Sequence, residues 1–577
     1  MGLERRYTGD DIASTDGRSP FYFCANGIHL MNCSILSQDS SPLPISTLMP
    51  TQRIFLASLF LTLTTFAVLT TNFPTSGWPG GDGRDYATIA EALVQGGSFD
   101  ISKAERPERR PDDYTVIRKE DGSMYSIFPM GRALAQVPFL ALSRVFFEDS
   151  RNAHERVLAD NLAFSLTSAI LYGLAGVLMF ALLKDVLGFA SGISLIGTAV
   201  YCFGTLALPF AKLHQVENLQ AVLFMGMVIS GLKPGRWSIA LICFCFGWLV
   251  ITKPPSAVAL PVFLYLFFQG RLWQRSPWSA RILAAFVTAG FAGLFFYYNW
   301  LRSGDATAAY AISPVADISY STSSIWQTLR PLLFGAERNL FINNPVLVLA
   351  LPGLFLVRHR PYLFTTLGLW LTMLIFYASS GNTNWGAYVG NARYTMPFLF
   401  LLIPPIMYFL QYVYGKLHRA WGRWLLIAGV AILILLSVWV QVLYTSFSQF
   451  HVKQFERTYN GYAAQYDMPR IREAENQLVF LRKLQASTRS CQHPTSLEYF
   501  TYPAADAKTA SFSAVVLKTF QPIWFCKDYL FLNQDWFRGV AWLSGLFWTL
   551  LGLCTVSFLM AIGMFRRLRQ ADPLISE

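Results

Sequence analysis

The chain is predicted to be an all-α polytopic membrane protein, a bundle of about twelve transmembrane helices. Of its 577 residues, 53% are apolar and only 14% charged, where a soluble domain carries about 25% charged residues. Apolar runs recur from Ile54 almost to the C-terminus, many near the roughly 20 residues that cross bilayer hydrocarbon as a helix. Within each run the apolar residues are continuous rather than alternating. Only helices and closed barrels satisfy their own backbone in lipid, and continuity selects helices.

Residues 1–50 are polar, rich in Ser, Asp and Gly, and lack the basic, apolar and small-residue succession of a signal peptide. They read as a disordered cytoplasmic tail. Met49, which precedes an apolar run, offers an alternative start. The first span is expected at about Ile54–Phe73. A polar stretch follows over Pro74–Arg156, broken by Leu134–Phe147, whose 14 residues are too few to span and fit an interfacial helix. Further spans are expected near 157–183, 189–208, 216–232, 237–252, 255–269, 282–300, 345–357, 361–378, 396–414, 424–444 and 539–564. Several are short, which predicts broken or tilted helices. The chain thus divides into a transmembrane module over 51–444 with outer loops 74–156 and 301–344, a small extracytoplasmic subdomain over 445–536, and a last helix with a basic cytoplasmic tail over 537–577. In the subdomain, Ile471, Leu478, Leu481 and Leu484 lie near helical spacing, and 497–531 is rich in aromatic and β-branched residues that fit short strands.

The net charge of +12 follows from topology rather than from nucleic-acid binding. With the N-terminus inside, the short cytoplasmic connections hold Lys184; Lys233 and Arg236; Arg271, Arg275 and Arg281; Arg358 and Arg360; Lys416, Arg419 and Arg423. Arg566, Arg567 and Arg569 end the last span, while the opposing short connections hold only Lys212, Lys253 and Arg393. This asymmetry is the positive-inside pattern and predicts both termini inside. The eight cysteines show no metal-type spacing. Cys202, Cys243, Cys245 and Cys554 lie in apolar runs and read as packing residues. Cys491 and Cys526 share one polar segment, where a disulfide can form if that segment is extracytoplasmic.

Chemistry concentrates after the first span, at Gly80-Gly81-Asp82-Gly83-Arg84-Asp85-Tyr86. Two glycines permit a tight turn, and the helical periodicity that follows puts Asp82 at a helix start, where an N-cap role competes with a catalytic one. Asp85 can orient a metal or an acceptor, or be an exposed helix-start carboxylate. Arg393, near a helix end, can offer a bidentate fork to phosphate or snorkel to the interface. Lys253, before Pro254-Pro255, and Arg302 can each contact a phosphate or cap a helix. His214 and Glu217, within Lys212-Leu213-His214-Gln215-Val216-Glu217, can line a pocket, although a lone His is more often a satisfied interface residue. Tyr125 can stack on a sugar or pack its loop.

The arrangement resembles the GT-C superfamily of membrane glycosyltransferases, which includes aminoarabinose transferases and protein O-mannosyltransferases. Asp82, Tyr86, Ala87, Ile89, Ala90 and Leu93 match a pattern close to D-E-x-x-Y-A-x-I-A-x-x-L, with Gly83 in place of the Glu. Tyr125–Gly131 resembles Y-x-x-x-P-P-G, with Met130 for the second Pro. Asn299–Gly304 resembles N-x-x-R-x-G, and Leu333–Gly353 resembles G-x-G-L-F-x-x-x-P. Asn384–Ala387 with Gly390–Tyr394 and Pro397 resembles W-G-G…G-P-R-Y…P. The likeness spans roughly 51–415, and its motifs fall in order on the predicted outer face. It implies a polyprenyl-phosphate sugar donor, a glycan, lipid or protein acceptor, Asp82 as base and Arg393 at the phosphate, in a bacterial plasma membrane with the active site outside. A divalent metal is compatible with the pattern but not required by it, and Gly83 puts it in doubt. Where the aminoarabinose transferases carry Glu and Lys, this chain has Ile127 and Phe128, so their particular donor is not implied. A transporter or lipid flippase is the alternative reading, with a non-catalytic assembly subunit as a third. No half-to-half similarity of the transporter kind is visible.

Overall fold

The computed structural model describes residues 50–70, 82–104, 115–147, 153–211, 213–307, 324–334, 339–379, 393–445 and 541–570. The expected N-terminal tail, the 445–536 subdomain, and Cys491 with Cys526 lie outside the described residues.

Among the described residues the chain is helical apart from one two-stranded hairpin. Helix α1 (Pro50–Leu69) precedes α2 (Asp82–Gly96). Strands β1 (Val116–Arg118) and β2 (Met124–Ser126) pair antiparallel, with Ile117 opposite Tyr125. Then come α3 (Gly131–Phe147), α4 (Ala153–Ala181), α5 (Ser191–Gly204), α6 (Glu217–Leu232), α7 (Ser238–Thr252), α8 (Leu260–Gln269), α9 (Trp278–Ser303), α10 (Ser324–Phe334) and α11 (Arg360–Ser379). A 3-10 stretch over Arg393–Leu402 runs into α12 (Ile403–Lys416), followed by α13 (Ala420–Thr445) and α14 (Ala541–Gln570).

Seven of these helical segments are long and apolar enough to cross a membrane, and five further apolar helices have only 10–17 residues. The chain is a multi-pass membrane protein. Among the described residues each expected span falls largely on helix, but five do not reach spanning length. The interruptions have visible causes. Pro254 removes an amide and disfavours the helical conformation at Lys253, which ends α7 at φ −153° and ψ 95°. Pro345 acts likewise after Asn344, where a short 3-10 turn replaces the start of a regular helix. The expected interfacial helix is α3, three residues longer at its N-terminus, with Leu142, Val145 and Phe146 exposed near its end.

Two cores hold the site in place. The larger unites α1, α4, α5, α6, α7 and the Arg393–Leu402 stretch through buried residues such as Phe55, Phe180, Tyr201, Phe224 and Phe400. The smaller fastens the helices after the first span: Ile89 and Ala90 of α2, Ala133 and Leu140 of α3, Phe164 of α4, Ile251 of α7 and Tyr298 of α9. Helix α3 is seated against the end of α7 through Gly131. A Cβ on Gly131 would stand 2.6 Å from the Thr252 backbone nitrogen, and the Trp248 indole N–H donates to the Gly131 carbonyl at 3.0 Å. Gly131→Ala is therefore expected to cost about 1–3 kcal/mol, lowering the thermal unfolding midpoint of the purified protein, because the clash is with the Thr252 backbone as well as its side-chain oxygen.

Candidate active site

Four charged residues from separate segments meet at helix ends. Asp82 begins α2, Glu217 begins α6, Lys253 follows α7, and Arg393 opens the 3-10 stretch. Acidic groups at helix N-termini and a cation at a C-terminus complement the backbone dipoles, so Asp82, Glu217 and Lys253 are locally favourable, whereas Arg393, a cation at the start of its helical stretch, depends on the anions it meets.

Arg393 is the hub. Its Nη2 donates to Asp82 Oδ2 at 3.0 Å and its Nη1 to Gln215 Oε1 at 2.9 Å. Its Nε lies 3.1 Å from Glu217 Oε1, a close ion pair whose N–H is not aimed for a hydrogen bond. Lys253 Nζ approaches the same Glu217 oxygen at 3.6 Å. The two carboxylates and two cations balance, as buried charge requires. Tyr377 and Tyr394 stack with ring centres 4.6 Å apart, and Lys253 Nζ lies 4.0 Å from the Tyr394 ring centre and 5.4 Å from that of Tyr377. Glu217 is fully buried, whereas the Asp82 side chain is 26% exposed, so Asp82 is the open carboxylate of the cluster.

Two further ionisable side chains, Arg132 and His214, stand around it. The Arg132 guanidinium of α3 is fully buried and donates from Nη2 to Ser168 Oγ at 2.6 Å, while the Ser168 hydroxyl donates to the Leu213 carbonyl at 2.8 Å. Arg132 lies within electrostatic range of Tyr86 and Glu217. His214 is buried beside Phe164, and burial, reinforced by the Arg132 charge, pulls its imidazole down to about 3. It is a neutral ring at physiological pH.

The sequence-derived candidates separate into two groups. Asp82, Glu217, Lys253 and Arg393 come together, with His214 beside them. Asp85 is 2% exposed and accepts from the Thr115 hydroxyl at 3.2 Å, so the exposed helix-start alternative does not hold. Tyr125 packs into the smaller core, with Lys119 Nζ 5.2 Å above its ring. Arg302 donates to the Ile127 carbonyl and to Asn299 Oδ1, both at 2.7 Å, while Tyr298 donates to the Phe128 carbonyl at 2.8 Å. Arg302 and Tyr298 thus latch the loop that leads from β2 into α3. Arg302→Met should free the Ile127 carbonyl from its buried donor, at a cost of about 1–3 kcal/mol, read as faster proteolytic cleavage between β2 and α3.

Arg132, Gln215, Tyr377 and Tyr394 were not singled out by sequence reasoning. Gln215 and Tyr394 lie inside stretches that were, and Arg132 directly follows the Tyr125–Gly131 segment. Tyr377 sits in an apolar run with no local signal. Gly386 and Gly390, part of the W-G-G…G-P-R-Y…P resemblance, lie outside the described residues.

No metal-holding group of three or more His, Cys, Asp or Glu occurs among the described residues. No protein-family model and no curated protein matches the sequence. Among solved structures, the apo-state crystal structure of ArnT from Cupriavidus metallidurans is similar, with 81% of this chain and 74% of that chain aligned at 15% identity and a TM-score of 0.41.

Proposed function

We propose that the protein is a membrane glycosyltransferase that moves a sugar from a polyprenyl-phosphate donor to a hydroxyl of a glycan, lipid or protein acceptor. The single observation that carries this reading is the partly exposed Asp82 carboxylate set 3.0 Å from Arg393 at the helix ends of a multi-pass membrane protein. The order of motifs shared with GT-C enzymes supports it.

The chemistry follows from the placement. The free oxygen of Asp82 accepts the acceptor's hydroxyl proton. The acceptor oxygen bonds to the anomeric carbon from the face opposite the phosphate, and the C1–O bond to phosphorus breaks, with inversion. The departing polyprenyl phosphate takes the bonding pair, and Lys253 and Arg393 offset its charge. Arg393 must exchange part of its contact with Asp82 for phosphate, which releases the carboxylate as the donor binds. The positive-inside asymmetry supports an outward-facing site, and the GT-C resemblance is what suggests a bacterial plasma membrane.

The direct test is a screen of polyprenyl-phosphate sugars with the purified protein in lipid, reading release of polyprenyl phosphate and transfer of labelled sugar. Transfer from one donor class is the expected result. Sugar-dependent transport without release of polyprenyl phosphate would replace this reading with a transporter.

A further inference from the structure

Glu217 presents a puzzle to the reading just given, because a carboxylate repels phosphate. Its side chain is fully buried, and both Arg393 Nε and Lys253 Nζ converge on its Oε1 at 3.1 and 3.6 Å. Two cations brought to one point repel each other unless an anion lies between them. Arg393 stays protonated whatever its surroundings, whereas a buried lysine loses its proton readily. Burial draws the Lys253 amine down to about 8; Glu217 holds it up, Arg393 presses it lower, and Asp82 holds it up more weakly. The groups facing this amine are Glu217 of α6, Asp82 of α2, Arg393 and Tyr394 of the 3-10 stretch, and Tyr377 of α11. Arg132 of α3 interacts with the same Glu217 carboxylate.

We propose that Glu217 is a positioning residue that keeps Lys253 charged beside Arg393, and that the pair so held grips the phosphate of the donor. The second half rests on the glycosyl-transfer reading; the first does not. The carboxylate occupies the place between the two cations, fixing their spacing and direction without touching substrate. Phosphate binding then depends on pH through Lys253. The charged amine is present below its folded pKa and is lost as pH rises through about 8.

The experiment uses the full chain in lipid nanodiscs, with farnesyl phosphate as the probe, titrated from neutral to alkaline pH. Wild type should lose affinity about tenfold for each pH unit above the Lys253 pKa. Glu217→Gln should begin that loss roughly one pH unit lower. Lys253→Arg should keep binding and lose the pH dependence, since guanidinium does not titrate in this range. Superimposable curves for wild type and Glu217→Gln, or an unchanged alkaline loss in Lys253→Arg, would overturn the proposal. If Glu217→Gln does not fold, Glu217→Asp, which holds the charge farther from the amine, should begin its loss at a lower pH than wild type by less than about one unit, and a curve superimposable on wild type would overturn the proposal. A ligand-free arm separates the two readings: the pH profile of Lys253 labelling by trinitrobenzenesulfonate, followed by peptide mass spectrometry. A profile that shifts to lower pH in Glu217→Gln while farnesyl phosphate fails to bind wild type would sink the donor reading alone. A profile that does not shift sinks the positioning role.

Discussion

Asp82→Asn is expected to reduce sugar transfer by about 10²–10⁴-fold while leaving the fold and donor binding in place. Asparagine matches aspartate in shape, serves equally well at a helix start, and can still accept the Arg393 hydrogen bond now made to Oδ2 at 3.0 Å. What it lacks is the basicity to take a proton. Removing the negative charge also leaves Arg393 less fully neutralised, so binding of an anionic donor should hold or tighten. Turnover and donor affinity, measured on the same preparation, therefore move apart. A scaffold or transporter has no reason to show that split, and equal turnover in wild type and variant would remove Asp82 from the chemistry.

Arg393→Met carries the largest expected cost to stability, about 3–5 kcal/mol, as for the loss of one partner from a buried ion pair. Three contacts vanish together: Asp82 at 3.0 Å, Gln215 at 2.9 Å and Glu217 at 3.1 Å. Glu217 would keep only the longer Lys253 contact at 3.6 Å while remaining fully buried. The thermal midpoint in detergent should drop. A second change, Glu217→Gln in the Arg393→Met background, should recover part of the loss by removing the stranded charge. If the double variant is no more stable than Arg393→Met, Glu217 is neutralised by other means. Arg393→Lys is expected to be intermediate, because an ammonium cannot reach three partners in the fork geometry of guanidinium.

The parts of the fold that were legible in the sequence are those governed by local rules. Continuous apolar runs gave the helices, since hydrocarbon forces backbone groups to pair within a segment. Pro254 and Pro345 marked breaks because proline acts on its own neighbours. Asp82 was readable as a helix start for the same reason. The length of the shorter helices was less legible: α5 stops at Gly204, although the apolar character continues through Leu206-Ala207-Leu208. Hydropathy reports what a segment tolerates, whereas packing decides where it turns.

The sequence by itself determined a multi-pass helical membrane protein with acidic and basic residues at helix ends. Only the tertiary structure decided which of those residues are partners. Asp82 and Arg393 are 311 positions apart, and Gln215 and Arg393 are 178 apart. It also turned Arg302 towards the Ile127 carbonyl and brought Arg132 within range of Glu217. The reason is physical: helix formation depends on neighbours along the chain, but an ion pair depends on separation in space and on the exclusion of water.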